Sequence, residues 1–278
     1  MNRKNQSLLS IVLSQVLMIS ITIMIIFPLY YMFSNALKHR QDYIKSTLSF
    51  PVSPTLQNFI DAFHGKDFTQ WFLNTTILSF VSSGLTLLIA FFAAYAFAKL
   101  DFPGKKFLFR LIIPLMSVPP VAMIIPQFQM IKSLGLINSL ASVILIYIGI
   151  MLPMTIYLYR NFMVTIPDSL LEAAQIDGCS RLRALWVIVM PLTLPAMITS
   201  TLVNLVWAWN ELLIALVFLQ DNSLRTLMVG VTLFKSRFTL NIPVIMAGLA
   251  IVSIPLIIIY VIAQKKLVEG LLSGSMKE

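Results

Sequence analysis

Long apolar runs alternate along this chain with short polar segments, and six of the runs are long enough to cross a bilayer. They occupy about 8–33, 72–98, 107–131, 139–159, 185–219 and 242–263. A helix needs about 20 mostly apolar residues to span the hydrocarbon core. The pattern therefore predicts an all-α polytopic membrane protein of about six transmembrane helices, with 1–278 forming one transmembrane domain. The fifth run is long enough to begin at or below the membrane surface. The first is too long for a signal-peptide core and has no clear small-x-small cleavage site, so it reads as a retained span. Prolines stand inside several runs, and the Pro119-Pro120 pair near Pro126 suggests a broken third helix, because each interior proline frees a carbonyl.

Composition agrees with this reading. Hydrophobic residues make up 58% of the chain and charged residues 11%, with a mean hydropathy of +0.89, whereas a soluble domain carries about 25% charged residues. The net charge of +9 comes from scattered basic residues that form no stripe, which argues against nucleic-acid binding. Positive charge at the cytoplasmic ends of spans explains it better. One set of flanks, including Arg3, Lys4, Lys99, Lys105, Lys106 and Lys277, holds 12 of the 20 basic residues. The other, including Lys38, Lys66, Lys235 and Arg237, holds 8. The bias places both termini in the cytoplasm.

Several chemistries are excluded. The single cysteine, Cys179, allows neither an internal disulfide nor a zinc cluster. The chain contains no G-x-x-x-x-G-K-[ST] phosphate loop and no H-E-x-x-H site. The two histidines, His39 and His64, fall in the first loop and read as surface residues. No catalytic residue and no metal ligand is assigned.

The loop at about 161–184 carries the most information. Ser169 and Glu172 have the spacing of a capping box, Gly178 suits the left-handed end of a helix, and Ser180 suits the cap of the next one. A short helix, a sharp turn and a second helix are predicted. The plain reading is a connector lying in the headgroup region. The functional reading is a docking knob, since Ala173 and Ala174 permit close approach of a partner while Glu172 and Asp177 add acidic charge.

The string Glu172-Ala173-Ala174, Asp177-Gly178, then nine residues to Ile188 and Met190-Pro191 resembles the signature loop of type I ABC-importer permeases, with Met190 in place of the usual Leu. Trp71-Phe-Leu-Asn-Thr, Trp209-Asn210-Glu211 and the ending from Gln264 resemble the carbohydrate-uptake branch, in particular the shorter maltose-type membrane subunit. The resemblance implies that Glu172, Ala173, Ala174, Asp177 and Gly178 couple to a cytoplasmic ATPase. It also implies a second homologous permease subunit, two ATPase subunits that bind the ATP and Mg, and an extracellular or periplasmic solute-binding protein. The setting would be a bacterial cytoplasmic membrane. This chain would hold no cofactor of its own.

Within the spans, Ser200, Asn204, Trp207 and Glu211 share one helical face of the fifth run. Buried polar residues in a span usually face a cavity or a partner, so this face is a candidate sugar path; helix–helix packing is the competing reading. Ser79, Ser82, Ser83 and Thr86 on the second run read as close packing. The function expected is translocation of a sugar or oligosaccharide by alternating access. A polyol or glycerol phosphate is an alternative cargo. A self-contained secondary transporter is a further alternative, disfavoured by the lack of an internal repeat and by a single membrane carboxylate.

Overall fold

The computed structural model describes residues 8–63, 67–230, 232 and 241–275. Arg3, Lys4, His64, Lys66, Lys235, Arg237 and Lys277, all used in the sequence reading, lie outside the described residues. The helices are α1 (Leu8–Ala36), α2 (Arg40–Lys45), α3 (Gln57–Phe63), α4 (Phe68–Lys99), α5 (Lys105–Leu115) and α6 (Ile124–Ser133). They continue with α7 (Leu140–Val164), α8 (Asp168–Ile176), α9 (Arg181–Ala184), α10 (Met190–Asn210), α11 (Leu213–Phe218) and α12 (Ile242–Ser275). Among the described residues, five stretches are long and apolar enough to cross a membrane, and the bent pair formed by α5 and the stretch ending at Ser133 makes a sixth if it is one span. Two compact units divide the chain.

The first unit contains Met1–Phe68 and Val231–Ile254. Its core joins Ala36, Ala62, Val244 and Ala247, with Phe59 and Met246 packed against them. A helix leaves its last carbonyls without intrahelical partners, and here Asn58 answers two of the chain's carbonyls at that point. Its Nδ2 donates to the carbonyls of Ala36 and Lys38, each at 2.8 Å. Lys38, counted among the flanking cations, is buried at 1% exposure. Its ammonium donates to Asn35 Oδ1 at 3.0 Å and to the carbonyls of Ser46 and Thr47 at 3.0 and 3.2 Å. Burial lowers its pKa from the usual lysine value, with the nearby Asp42 carboxylate pulling the other way. His39 is exposed, as its loop position suggested. Between Ser10 and Leu29, every residue of α1 is exposed, so this helix presents apolar side chains on all faces.

The second unit contains Thr69–Gly230 and Pro255–Glu278. Two clusters of described residues lie in its core. One gathers Leu78, Tyr147, Met151, Ala215 and Phe218; the other gathers Phe91, Tyr159, Met163, Leu171 and Leu185. Both draw on α4 and α7, which are the framework for everything described below. On α4, Ser79, Ser82 and Thr86 are fully buried and Ser83 nearly so, as small residues at a close helix contact should be.

The third run is broken, as its prolines indicated. Helix α5 ends at Leu115, a 3-10 turn occupies Pro120–Met123 and α6 follows, with a bend of 103° across the break. Pro120 offers no N–H and pushes Pro119 out of the helical region, to φ −63° and ψ 128°. The fifth run departs from expectation. It does not continue as one helix to residue 219 but stops at Asn210. Glu211 is extended, at φ −70° and ψ 127°, and α11 starts afresh. Glu211 is therefore not a mid-helix carboxylate.

Candidate functional site

The loop after α7 folds into the expected knob. Its entry differs from the capping box read in the sequence. Pro167 occupies the position before the helix, no side chain caps it, and Asp168 is the first helical residue. Ser169 thus lies inside the first turn, too late to cap. Pro167 stays extended, at φ −62° and ψ 137°, just outside the helix, and Lys99 at the end of α4 holds Asp168 at 2.6 Å. The exit follows expectation. Gly178 has φ +79°, the left-handed region where a Cβ is strained. Its N–H donates to the Gln175 carbonyl at 3.0 Å and the Cys179 N–H to the Ala174 carbonyl at 2.8 Å, which terminates the helix. Ser180 Oγ accepts from the Arg183 N–H at 3.3 Å and starts α9. A π-helical turn, Leu185–Val189, leads into α10, placed where Pro191 provides no N–H for the preceding carbonyls.

One face of α8 is fixed and the other is open. Leu171 is buried in the cluster with Ala90, Phe91 and Ala94. Ala174 is half-buried against it, while Glu172, Ala173 and Asp177 are exposed. Neither Glu172 nor Asp177 makes a side-chain hydrogen bond or ion pair among the described residues. Ile176 beside them is 86% exposed. A polar groove of about 590 Å³ adjoins the knob, lined in part by Tyr95, Lys99, Asp101, Asp168, Glu172 and Arg181. The open face of α8 thus carries two acidic side chains without partners among the described residues, an exposed isoleucine and a small alanine surface.

Ser200, Asn204 and Trp207 of α10, and Glu211 just beyond its end, turn toward α7. Ser200 Oγ lies 2.7 Å from the Tyr159 hydroxyl, and Asn204 Nδ2 donates to Thr155 Oγ1 at 3.1 Å. Both are buried. Trp207 meets Tyr147 edge to face at a centroid distance of 5.1 Å. Glu211 accepts from the Tyr147 hydroxyl at 2.8 Å and from the N–H groups of Ile214 and Ala215 at 2.8 and 3.1 Å. The carboxylate therefore fastens α11 to α7. Trp207 and Glu211 also edge an open, mainly apolar groove of about 510 Å³, with Leu202, Val203, Val206 and Asn210. Ser200 and Asn204 do not line it.

Residues 86–272 match the family described as the binding-protein-dependent transport system inner membrane component. The chain belongs to this family. Among relatives, it is 36% identical over 253 residues to the sulfoquinovosyl glycerol transport system permease SmoH of Agrobacterium fabrum, covering 91% of this chain and 89% of the relative. It is 32% identical to the melibiose/raffinose/stachyose import permease MelC of Bacillus subtilis, covering 90% and 91%. Its backbone matches a chain of a bacterial ABC transporter involved in the import of the acidic polysaccharide alginate. That match has a TM-score of 0.82 and 25% identity, covering 91% of this chain and 95% of the other. The protein is thus a multi-pass permease subunit of the ABC-importer type, a transport component rather than an enzyme.

The permease holds a second constellation that sequence reasoning quoted only as a resemblance. Trp71, Asn74 and Thr75 of α4 are each 1% exposed and together grip one segment of backbone. Trp71 Nε1 donates to the Asn222 carbonyl at 2.8 Å. Asn74 Nδ2 donates to the carbonyls of Ser223 and Arg225 at 2.8 and 2.9 Å. Thr75 Oγ1 accepts from the Leu227 N–H at 2.8 Å. Asn138, with φ +60°, adds its Oδ1 as acceptor for the N–H groups of Gln220 and Asp221, both at 3.0 Å, and its Nδ2 bonds the Asp221 carboxylate. At Gly230 a Cβ would fall 2.1 Å from the Trp71 ring, so glycine alone fits there. The signal available in sequence was the polar trio inside an otherwise apolar run; its partner segment, about 150 residues away, carried none.

Proposed function

We propose that this permease translocates a sugar or oligosaccharide into a bacterial cytoplasm by alternating access. It works with a second homologous permease, two ATPase subunits and a solute-binding protein. The carbohydrate assignment is supported by relatives whose names specify glycosyl glycerol and raffinose-type import. A solved alginate ABC transporter in complex with an oligosaccharide-bound periplasmic protein shares the fold, with a TM-score of 0.66, and supports the binding-protein partner. Both termini face the cytoplasm, in keeping with the 12-to-8 distribution of basic residues, and the knob lies on that side. ATP and Mg are bound by the ATPase partners.

The observation that carries this reading is the α8 knob: a short helix held rigidly on one side by Leu171 and Lys99 and exposing Glu172, Ala173 and Asp177 on the other. A rigid acidic helix seated in a cleft of an ATPase transmits movement, whereas a flexible connector would absorb it. The groove edged by Trp207 and Glu211 becomes part of the sugar path when the second permease closes its open side. An indole stacks on the apolar face of a sugar ring, and Asn210 and Glu211 offer hydrogen bonds to hydroxyls.

The test is affinity purification of the tagged chain from gently solubilised native membranes, with mass spectrometric identification of what accompanies it. A second permease and an ATPase are expected, with ATPase recovery sharply reduced by Glu172→Lys. Recovery of the chain alone, unaffected by the substitution, would remove the coupling role from the knob.

A further inference from the structure

The end of α4 holds a cation that the knob's signature does not include. Lys99, the last residue of α4, has a side chain only 5% exposed. A buried ammonium is costly unless its hydrogen bonds are met, and two acceptors meet it here. The Ile166 carbonyl lies at 2.5 Å and Asp168 Oδ1 at 2.6 Å. The first belongs to the short link that joins α7 to α8, the second to the first residue of α8. The position also suits a cation electrostatically, because the carbonyls at a helix C-terminus favour positive charge, as the N-terminal turn of α8 favours the Asp168 carboxylate. Asp168 itself is 75% exposed, so the inner anchor of the contact is the Ile166 carbonyl.

Two attachments therefore tie α8 to α4. Leu171 packs among Ala90, Phe91 and Ala94, and one turn further along α4 the Lys99 ammonium closes over the link at 166–168. An apolar contact alone lets a helix roll about it; the second point removes that freedom. At its other end α4 grips 222–227 through Trp71, Asn74 and Thr75. The distance along the helix between the two grips is about 42 Å at 1.5 Å per residue. One unbroken helix thus connects the knob to the segment that follows α11.

We propose that Lys99 is a positioning residue for energy coupling: it locks α8 to α4, so that movement imposed on the knob is carried along α4 to the segment at 222–227. The proposal rests on the reading of the knob as the ATPase contact. Lys99 touches neither ATP nor sugar. Its effect is expected in the ratio of transport to hydrolysis, a quantity that a purely structural ion pair would leave unchanged in assembled complexes.

The experiment is to reconstitute the full complex with its ATPase, second permease and binding protein in proteoliposomes, and to measure sugar taken up per ATP hydrolysed. Lys99→Met is expected to lower that ratio about tenfold, within the usual range of coupling free energies, while ATP hydrolysis continues. Lys99→Arg, which keeps the charge and the donors, is expected to stay near wild type. Asp168→Asn alters only the exposed half of the contact and is expected to lower the ratio about threefold, the scale of a partly exposed ion pair. If Lys99→Met does not assemble, Asp168→Asn decides the matter. A wild-type ratio in assembled Lys99→Met or Asp168→Asn complexes overturns the proposal. A wild-type complex whose uptake is independent of ATP overturns instead the coupling reading on which the proposal stands.

Discussion

The knob at 166–185 and the segment at 211–230 both leave regular helix, yet they satisfy their backbone in opposite ways. The knob is mostly self-sufficient. Gly178 closes its own helix, Ser180 caps the next, and, among the described residues, the outside hydrogen bond to its backbone comes from Lys99 of α4. The segment at 211–230 depends on distant elements. Tyr147 holds Glu211, Asn138 meets the N–H groups of Gln220 and Asp221, and Trp71, Asn74 and Thr75 take 222–227. Side chains differ in parallel. Glu172, Asp177 and Ile176 of the knob are exposed, whereas Leu219, Thr226, Leu227 and Val229 are buried. Irregular backbone within a membrane protein is tolerated where protein groups satisfy it, which is how the second region is built. The first is a projection whose acidic side chains are exposed. On the function proposed above, it is the contact and the second region is the frame.

Substitutions should separate the two roles. The largest effect is expected from Gly230→Val, because even a Cβ would lie 2.1 Å from the buried Trp71 ring. A loss of about 3 kcal/mol is expected from overpacking, read as collapse of the yield of monodisperse solubilised protein. Asn74→Leu strands the carbonyls of Ser223 and Arg225 and should cost about 1–3 kcal/mol, read as a lower melting temperature of the purified permease. Gly178→Ala should cost about 1 kcal/mol, through left-handed strain alone, since nothing lies within 4 Å of the added Cβ. Its expected signature is a melting temperature lowered by only about 2–4 °C together with clearly reduced ATPase recovery. A knob substitution that melted the whole permease, or an Asn74 substitution that left its melting unchanged and affected only ATPase recovery, would break the distinction.

The same contrast explains what the sequence made legible. The knob's turn and its second cap were readable because a left-handed glycine and a capping serine act within a few residues. Its entry was misread because Pro167 and the contact from Lys99, across 69 residues, set the helix start at Asp168. The break at Pro119-Pro120 was visible because proline acts locally. The break at Glu211 was not, since no glycine or proline marks it; the carboxylate stabilises it through α11 N–H groups and through Tyr147, 64 residues earlier. The shared face of Ser200, Asn204 and Trp207 followed from helical period, whereas Glu211 reaches the same neighbour from extended backbone beyond the helix. Which neighbour that face would meet was fixed only by packing on α7. The grip on 222–227 was half legible: Asn74 and Thr75 stand out in an apolar run, but hydrogen bonds to backbone leave no pattern in the segment they hold.

The claim that the knob is the ATPase contact and the 220–230 segment is frame is tested most directly by site-specific cross-linking in native membranes. A photoreactive cysteine probe would be attached to Ala173→Cys on the exposed face of α8 and, separately, to Ser223→Cys, each with Cys179→Ser. The account predicts an ATPase adduct from position 173 and none from position 223. No ATPase adduct at position 173 in an otherwise transporting complex, or an ATPase adduct at position 223, would contradict it.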